Sequence, residues 1–160
     1  MERIEIALEK LGNEEVNILT KEEIIDLHDM GIEKYGGSYG IRDENLLESI
    51  SISPYQSCFG QELYPDIYTK AAYLLYNFAN QQVFIDGNKR TSILSSDGLL
   101  KKNGFAYTLT EKEIYDITID IANHKIESIE ELSNIIQKNT RFLSHEEIEK
   151  IKNKEEEKER

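Results

Sequence analysis

"DIYTKAAYLLYNFANQQVFIDGNKRTSILSSDGLLKKNG", residues 66–104, decides the fold. Its first part places Ala71, Leu74, Leu75 and Phe78 at i, i+3, i+4 and i+7, the stripe of a helix with one face in a core. Pro65, with its fixed φ and missing N–H, suits the start of that helix. The last part, "RTSILSSDGLLKKNG", reads as another helix. Lys101 and Lys102 complement the negative end of its macrodipole, and Asn103-Gly104 form a left-handed stop. Between the two lies a short turn carrying Phe84 and Gly87. A long helix, a turn and a second helix predict a bundle.

The flanks extend the pattern. On the N-terminal side, Thr20 and Glu23 form a T-x-x-E capping box, Ile24 and Leu27 begin an apolar stripe, and Gly36-Gly37 end the helix. Asp43 is the N-cap of a brief helix with Leu46, Leu47 and Ile50, stopped near Pro54. Further upstream, "ERIEIALEKLG" predicts a short helix ending at Gly12, then the extended "VNIL". On the C-terminal side, "FAYTL" reads as a short extended link. Two capping boxes follow, Thr110-x-x-Glu113 before Ile114, Ile117 and Ile121, and Ser128-x-x-Glu131 before Leu132, Ile135 and Ile136. The end, "SHEEIEKIKNKEEEKER", carries two isoleucines among charges, which predicts a solvated or frayed helix. The expectation is an all-α, compact bundle of about six to eight helices, with a central helix after an anion-binding loop. Residues 1–19 read as an N-terminal extension, 20–140 as the domain and 141–160 as a charged tail.

Composition bounds the function. A chain of 160 residues suits one core. One cysteine, Cys58, excludes an internal disulfide, and with no zinc-spaced Cys/His cluster and no signal-type segment the expected compartment is a reducing cytoplasm. No apolar run approaches the roughly 20 residues of a membrane helix, so no membrane partner is expected. A net charge of −12 and a pI near 4.7 argue against nucleic acid, whose binders carry a basic face.

Residues 84–90 concentrate the chemistry. The turn aims the free N–H groups of the following helix at whatever lies before it, an arrangement that binds anions. Gly87 permits close approach of a phosphate to the backbone around Gly87 and Asn88, and Lys89 and Arg90 add cationic donors. Asp86 supplies a hard oxygen for Mg²⁺ shared with phosphates. The sum is a cradle for a nucleotide's phosphates. A P-loop is excluded, because "IDGNKRTS" lacks the upstream glycine and has Asn88 where glycine must precede the lysine. D-G-N alone is a common turn, and Phe84 alone would be core.

Together these residues resemble the signature of the Fic/Doc family, H-x-F-x-[DN]-[AG]-N-K-R, matched in order by Phe84, Asp86, Gly87, Asn88, Lys89 and Arg90. "LHDMGIEKYGGSYGIRDENLLESI" (27–50) resembles the family's first helix and glycine-rich turn, and "KKNGF" (101–105) its stop after the motif helix. The resemblance spans residues 20–140. It implies that Phe84 anchors the loop, Asp86 holds Mg²⁺, Gly87 and Asn88 form the anion nest, and Lys89 and Arg90 steady the phosphates of ATP. The AMP-transferring branch has glycine where Lys89 stands and a second arginine where this chain has Ile93. The closer likeness is thus to the death-on-curing branch, toxins that transfer a terminal phosphoryl group to a hydroxyl of translation elongation factor Tu and are silenced by an antitoxin. Its helix would lie in a groove. A self-inhibitory [ST]-x-x-x-E-[GN] motif is not found, since Gly40 stands four residues before Glu44-Asn45.

One position departs. The family histidine, which takes the proton of the attacking hydroxyl, falls on Gln82. Imidazole suits that work because it titrates near neutrality; an amide orients a hydroxyl but takes no proton. Gln82 is either an introduced replacement that disarms a toxic chain or the native residue of a pseudoenzyme. His28 reads as a packing or capping residue, and His124 and His145 have no neighbours suggesting catalysis. The alternatives are an impaired transferase, a binding module for nucleotide or antitoxin, and a purely structural helical domain.

Overall fold

Capping side chains set where the helices begin. In the computed structural model, which describes residues 16–159, Thr20 accepts from the Glu23 N–H while the Glu23 carboxylate accepts from the Thr20 N–H, opening α1 (Lys21–Tyr35). Asp43 accepts from the Leu46 N–H and opens α2 (Glu44–Ile52). Pro54 sits in the 3₁₀ turn Ser53–Tyr55 that follows. Asp66 and Thr69 cap each other at the start of α3 (Ile67–Asn80), two residues after Pro65. After Gly87 comes α4 (Asn88–Lys102). The Thr110–Glu113 box opens α5 (Glu111–Ala122). At α6 (Ile129–Lys138) only the forward half of the expected box forms, Ser128 accepting from the Glu131 N–H. Ser144 and Glu147 make both halves of a box at α7 (His145–Glu159).

The hub is α3. It buries Ile67, Ala71, Ala72, Leu74, Leu75, Phe78 and Ala79, a stripe wide enough to face several neighbours. Its longest interface is with α4, followed by α6 and α5, and α4 also lies against α1 and α5. What lets α4 sit so deep is serine. Ser92, Ser95 and Ser96 are fully buried, and their hydroxyls donate to the carbonyls of Lys89, Ser92 and Ile93 at 2.6, 3.3 and 3.1 Å. Short side chains whose polar atoms are satisfied by the helix itself allow close helix packing without a polar penalty.

The helical fold carries two small antiparallel pairs. β1 (Ser57–Cys58) pairs with β2 (Gln61–Glu62), and β3 (Phe105–Tyr107) pairs with β4 (Thr140–Phe142) in the register Phe105↔Phe142, Ala106↔Arg141, Tyr107↔Thr140. The "FAYTL" link thus begins as β3. Lys70, 1% exposed within the apolar α3, donates to the Tyr64 carbonyl just beyond β2 and lies 3.4 Å from Glu62. Burial lowers the pKa of this lysine and Glu62 opposes the shift.

Residues 16–19 form no regular element but are pinned: the Asn17 N–H donates to Asn103 Oδ1, and Asn103 Nδ2 donates to the Asn17 carbonyl, both at 2.9 Å. The helix expected before Gly12 lies outside the described residues. α7 buries none of its residues, as its charge pattern predicts. Among the described residues no helix is long and apolar enough to cross a membrane.

Candidate functional site

The loop between α3 and α4 is held from three sides. Residues 83–85 run antiparallel to the glycine-rich turn that follows α1: the Arg42 and Asp43 N–H groups donate to the Val83 carbonyl at 2.8 and 3.1 Å, the Ile85 N–H donates to the Gly40 carbonyl at 3.1 Å, and Ile41 bridges Phe84. From below, the buried Phe84 ring stacks on His28, with centroids 3.9 Å apart and 10° between planes. His28 Nε2 lies 2.8 Å from the Asp86 carbonyl, which only accepts, so Nε2 is the donor; Nδ1 lies 2.9 Å from Asp29 Oδ1. From within, the Asn88 side chain closes the loop on itself. Its Oδ1 accepts from the Phe84 N–H, and its Nδ2 donates to the Phe84 carbonyl, each at 2.9 Å. A second contact runs from Nδ2 to Gln82 Oε1 at 3.3 Å.

So held, the loop presents one open face. Gly87 is in the left-handed region, φ 78 and ψ 20, and as the N-cap residue of α4 it offers no side-chain acceptor. The N–H groups of Asn88, Lys89 and Arg90 have no acceptor among the described residues, the first satisfied amide being that of Thr91 to the Gly87 carbonyl. Every other α-helix described has a capping side chain. A cavity of about 340 Å³ lies over this end, lined by Gln82, Ile85, Asp86, Gly87, Asn88, Lys89 and Arg90 from the loop, Tyr35 and Gly36 from the end of α1, and Tyr115 of α5.

Charge in the cavity is unevenly committed. Asp86 Oδ2 accepts from the Ser38 N–H at 3.0 Å, while Oδ1 has no partner among the described residues. Neither Lys89 nor Arg90 is ion-paired there; the Arg90 guanidinium lies 3.9 Å from the Tyr35 ring centroid and 5.9 Å from that of Tyr115. Two unpaired cations, three free amides and one available carboxylate oxygen therefore share a wall, in a chain whose net charge is −12. Such a set fits a polyphosphate with one hard cation.

All six residues singled out from the sequence, Gln82, Asp86, Gly87, Asn88, Lys89 and Arg90, line this one cavity. The Asn88 side chain is turned inward, so what it offers an anion is its backbone N–H. His124 and His145 do not line the cavity, and the ring of His28 is committed beneath the loop. Sequence reasoning did not single out Tyr35, Ser38 or Tyr115. Tyr35 directly precedes the glycine pair and Ser38 follows it, so their position beside the turn was a usable signal; nothing local marks Tyr115.

A sequence model of the Fic/DOC family matches residues 18–100, more than half of the chain. The chain belongs to the Fic/DOC family. The matched segment runs from α1 through nearly all of α4, and so contains the family loop together with the turn and helix that brace it. Among relatives, "Protein kinase doc" of Escherichia phage P1 is 33% identical over 108 residues, which are 68% of this chain and 84% of that protein. "Toxin Doc" of Mycolicibacterium smegmatis is 34% identical over 85 residues, 51% of this chain and 65% of that protein. Both of these relatives carry the Doc name, one as a kinase and one as a toxin.

Proposed function

We propose that this chain is a Doc-type toxin that binds ATP and Mg²⁺ at the N-terminus of α4 and transfers the terminal phosphoryl group to a hydroxyl of a protein of the translation apparatus, elongation factor Tu being the expected target. The observation that carries this reading is the uncapped start of α4 facing Lys89, Arg90 and a half-committed Asp86 in one cavity. The kinase named among its relatives supports the phosphoryl class. A separate antitoxin is the expected restraint.

The geometry supports a division of roles. The amides of Asn88, Lys89 and Arg90 take up anionic oxygens with no rearrangement, because Gly87 already places the chain in the required conformation. Lys89 and Arg90 stabilise charge that spreads over the transferring oxygens. Asp86 Oδ1 is the oxygen free to hold Mg²⁺, which when bound would neutralise the phosphates. In the transfer, the hydroxyl oxygen forms a bond to the terminal phosphorus as the bond to the bridging oxygen breaks; ADP leaves with that electron pair, and the hydroxyl proton must go to a base. Gln82 stands where the family pattern has histidine, and its amide orients a hydroxyl without accepting the proton. Asp86, the carboxylate that lines the cavity, serves as a poor base for that proton, and phosphoryl transfer relies chiefly on positioning and electrostatics, so the chain retains slow turnover.

The test is transfer from γ-labelled ATP to protein in an extract, by the chain as it stands and by Gln82→His. The substitution is expected to raise the rate roughly 10²–10⁴-fold. Transfer from α-labelled ATP with none from γ-labelled ATP instead identifies an AMP transferase. Gln82 itself favours a second reading, a binding module that holds nucleotide or antitoxin without chemistry; ATP affinity indifferent to Gln82→His, with no transfer by either form, establishes that reading and removes the first.

A further inference from the structure

We propose that Tyr35 is a positioning residue that fixes the guanidinium of Arg90 at the mouth of the phosphate cavity, an inference that rests on the reading of that cavity given above. A free arginine side chain loses considerable rotamer freedom when a ligand orders it, and that loss weakens binding. Ordering before binding normally comes from a carboxylate, but a carboxylate would also neutralise the charge and compete with the incoming anion. Arg90 has no carboxylate partner among the described residues. Its guanidinium instead lies over the Tyr35 ring at 3.9 Å, with the Tyr115 ring 5.9 Å away on the other helix that borders the cavity. A ring face orients a guanidinium while leaving its N–H donors in the plane free for phosphate oxygens.

The stem of Arg90 is guided as well. A Cβ at Gly31 would lie 3.3 Å from Arg90 Cγ, so the absence of a side chain there gives the stem its path across α1. Gly31 and Tyr35 are one helical turn apart and share a face. α1 thus offers a bare stretch for the methylenes and then an aromatic shelf for the head group. Tyr35 is 48% exposed, which leaves it little part in the core. The same ring has Lys34 Nζ at 5.3 Å, a more distant cation that serves as an internal control.

The experiment is titration calorimetry of the full chain with ATP·Mg²⁺, comparing wild type, Tyr35→Phe, Tyr35→Leu, Lys34→Ala, Arg90→Ala and the double variant Tyr35→Leu/Arg90→Ala. Losing the ring is expected to weaken binding about two- to fivefold. Tyr35→Phe, which keeps the ring, and Lys34→Ala stay at the wild-type affinity, and Tyr35→Leu adds nothing once Arg90 is gone. A purely structural role of Tyr35 would weaken binding equally in both backgrounds. That outcome, or wild-type affinity in Tyr35→Leu, overturns the inference while the Arg90→Ala loss keeps the cavity reading intact. Failure of the wild-type chain to bind ATP·Mg²⁺ overturns both.

Discussion

Asn88 spends its whole side-chain amide on the loop it belongs to. With Oδ1 on the Phe84 N–H and Nδ2 on the Phe84 carbonyl, it supplies the hydrogen bonds a buried turn otherwise lacks, and it keeps Phe84 on His28. Truncation to alanine leaves both Phe84 backbone groups unpaired in a buried setting, so Asn88→Ala is expected to cost about 1–3 kcal/mol, read from the denaturant midpoint at unchanged slope. Asn88→Asp, which preserves the acceptor but not the donor, is expected to fall between. That Gln82, Asp86, Gly87, Asn88, Lys89 and Arg90 gather in one cavity was legible in the sequence through the family signature, since D-G-N alone is a common turn. The inward turn of Asn88 was not, since its partners are main-chain atoms, which leave no trace in the identity of Phe84. The shelf under Arg90 was hidden for a different reason: Tyr35 and Tyr115 come from helices far apart in the chain.

At the scale of elements, helix starts were legible and close packing was not. The boxes at Thr20 and Thr110 formed as their spacing requires, because a cap is a local interaction between residues three apart. The same spacing at Ser144 and Glu147 was available and went unread inside a charged run. Serines at 92, 95 and 96 carry no apolar signal, yet they lie on the buried face of α4. Of the short strands only β3 left a trace, in the extended reading of "FAYTL", because two or three residues carry too little alternation to register as a strand. The start of α7 gives a testable electrostatic consequence. Glu147 receives two hydrogen bonds from Arg141, at 2.8 and 3.0 Å, and one from the Ser144 N–H, which hold its carboxyl at about 2 against an ordinary 4.5. A depressed carboxylate stabilises only while ionised: its contribution is fully present above pH 4.5 and is lost as pH falls through 2. An NMR titration of the Glu147 side-chain carbon is therefore expected to show a midpoint near 2, rising toward 4.5 in Arg141→Ala. A wild-type midpoint at the ordinary value contradicts the pairing.

For the whole molecule, the arrangement separates support from function. α3 and the buried serine face of α4 form the packed body, the turn at 36–43 and His28 brace the loop, and the half-buried cationic start of α4 opens on the cavity. Preorganisation of this kind lets backbone amides act on an anion with little rearrangement. A predominantly negative surface surrounding a local cationic patch also makes anion binding depend on short-range contacts, because charges beyond about 8 Å are screened at physiological salt. The helical class and the order of elements were legible from periodicity and caps; the bracing was not, because it joins segments that only the folded chain brings together. The most direct test of the central claim is the affinity of the full chain for ATP·Mg²⁺, measured for wild type, Lys89→Ala and Arg90→Ala with folding checked by circular dichroism. Measurable binding by the wild type is expected, with a loss of roughly 10- to 100-fold in each variant, the worth of a charge-assisted hydrogen bond. No binding by a folded wild-type chain, or affinity unchanged by both substitutions, contradicts the claim.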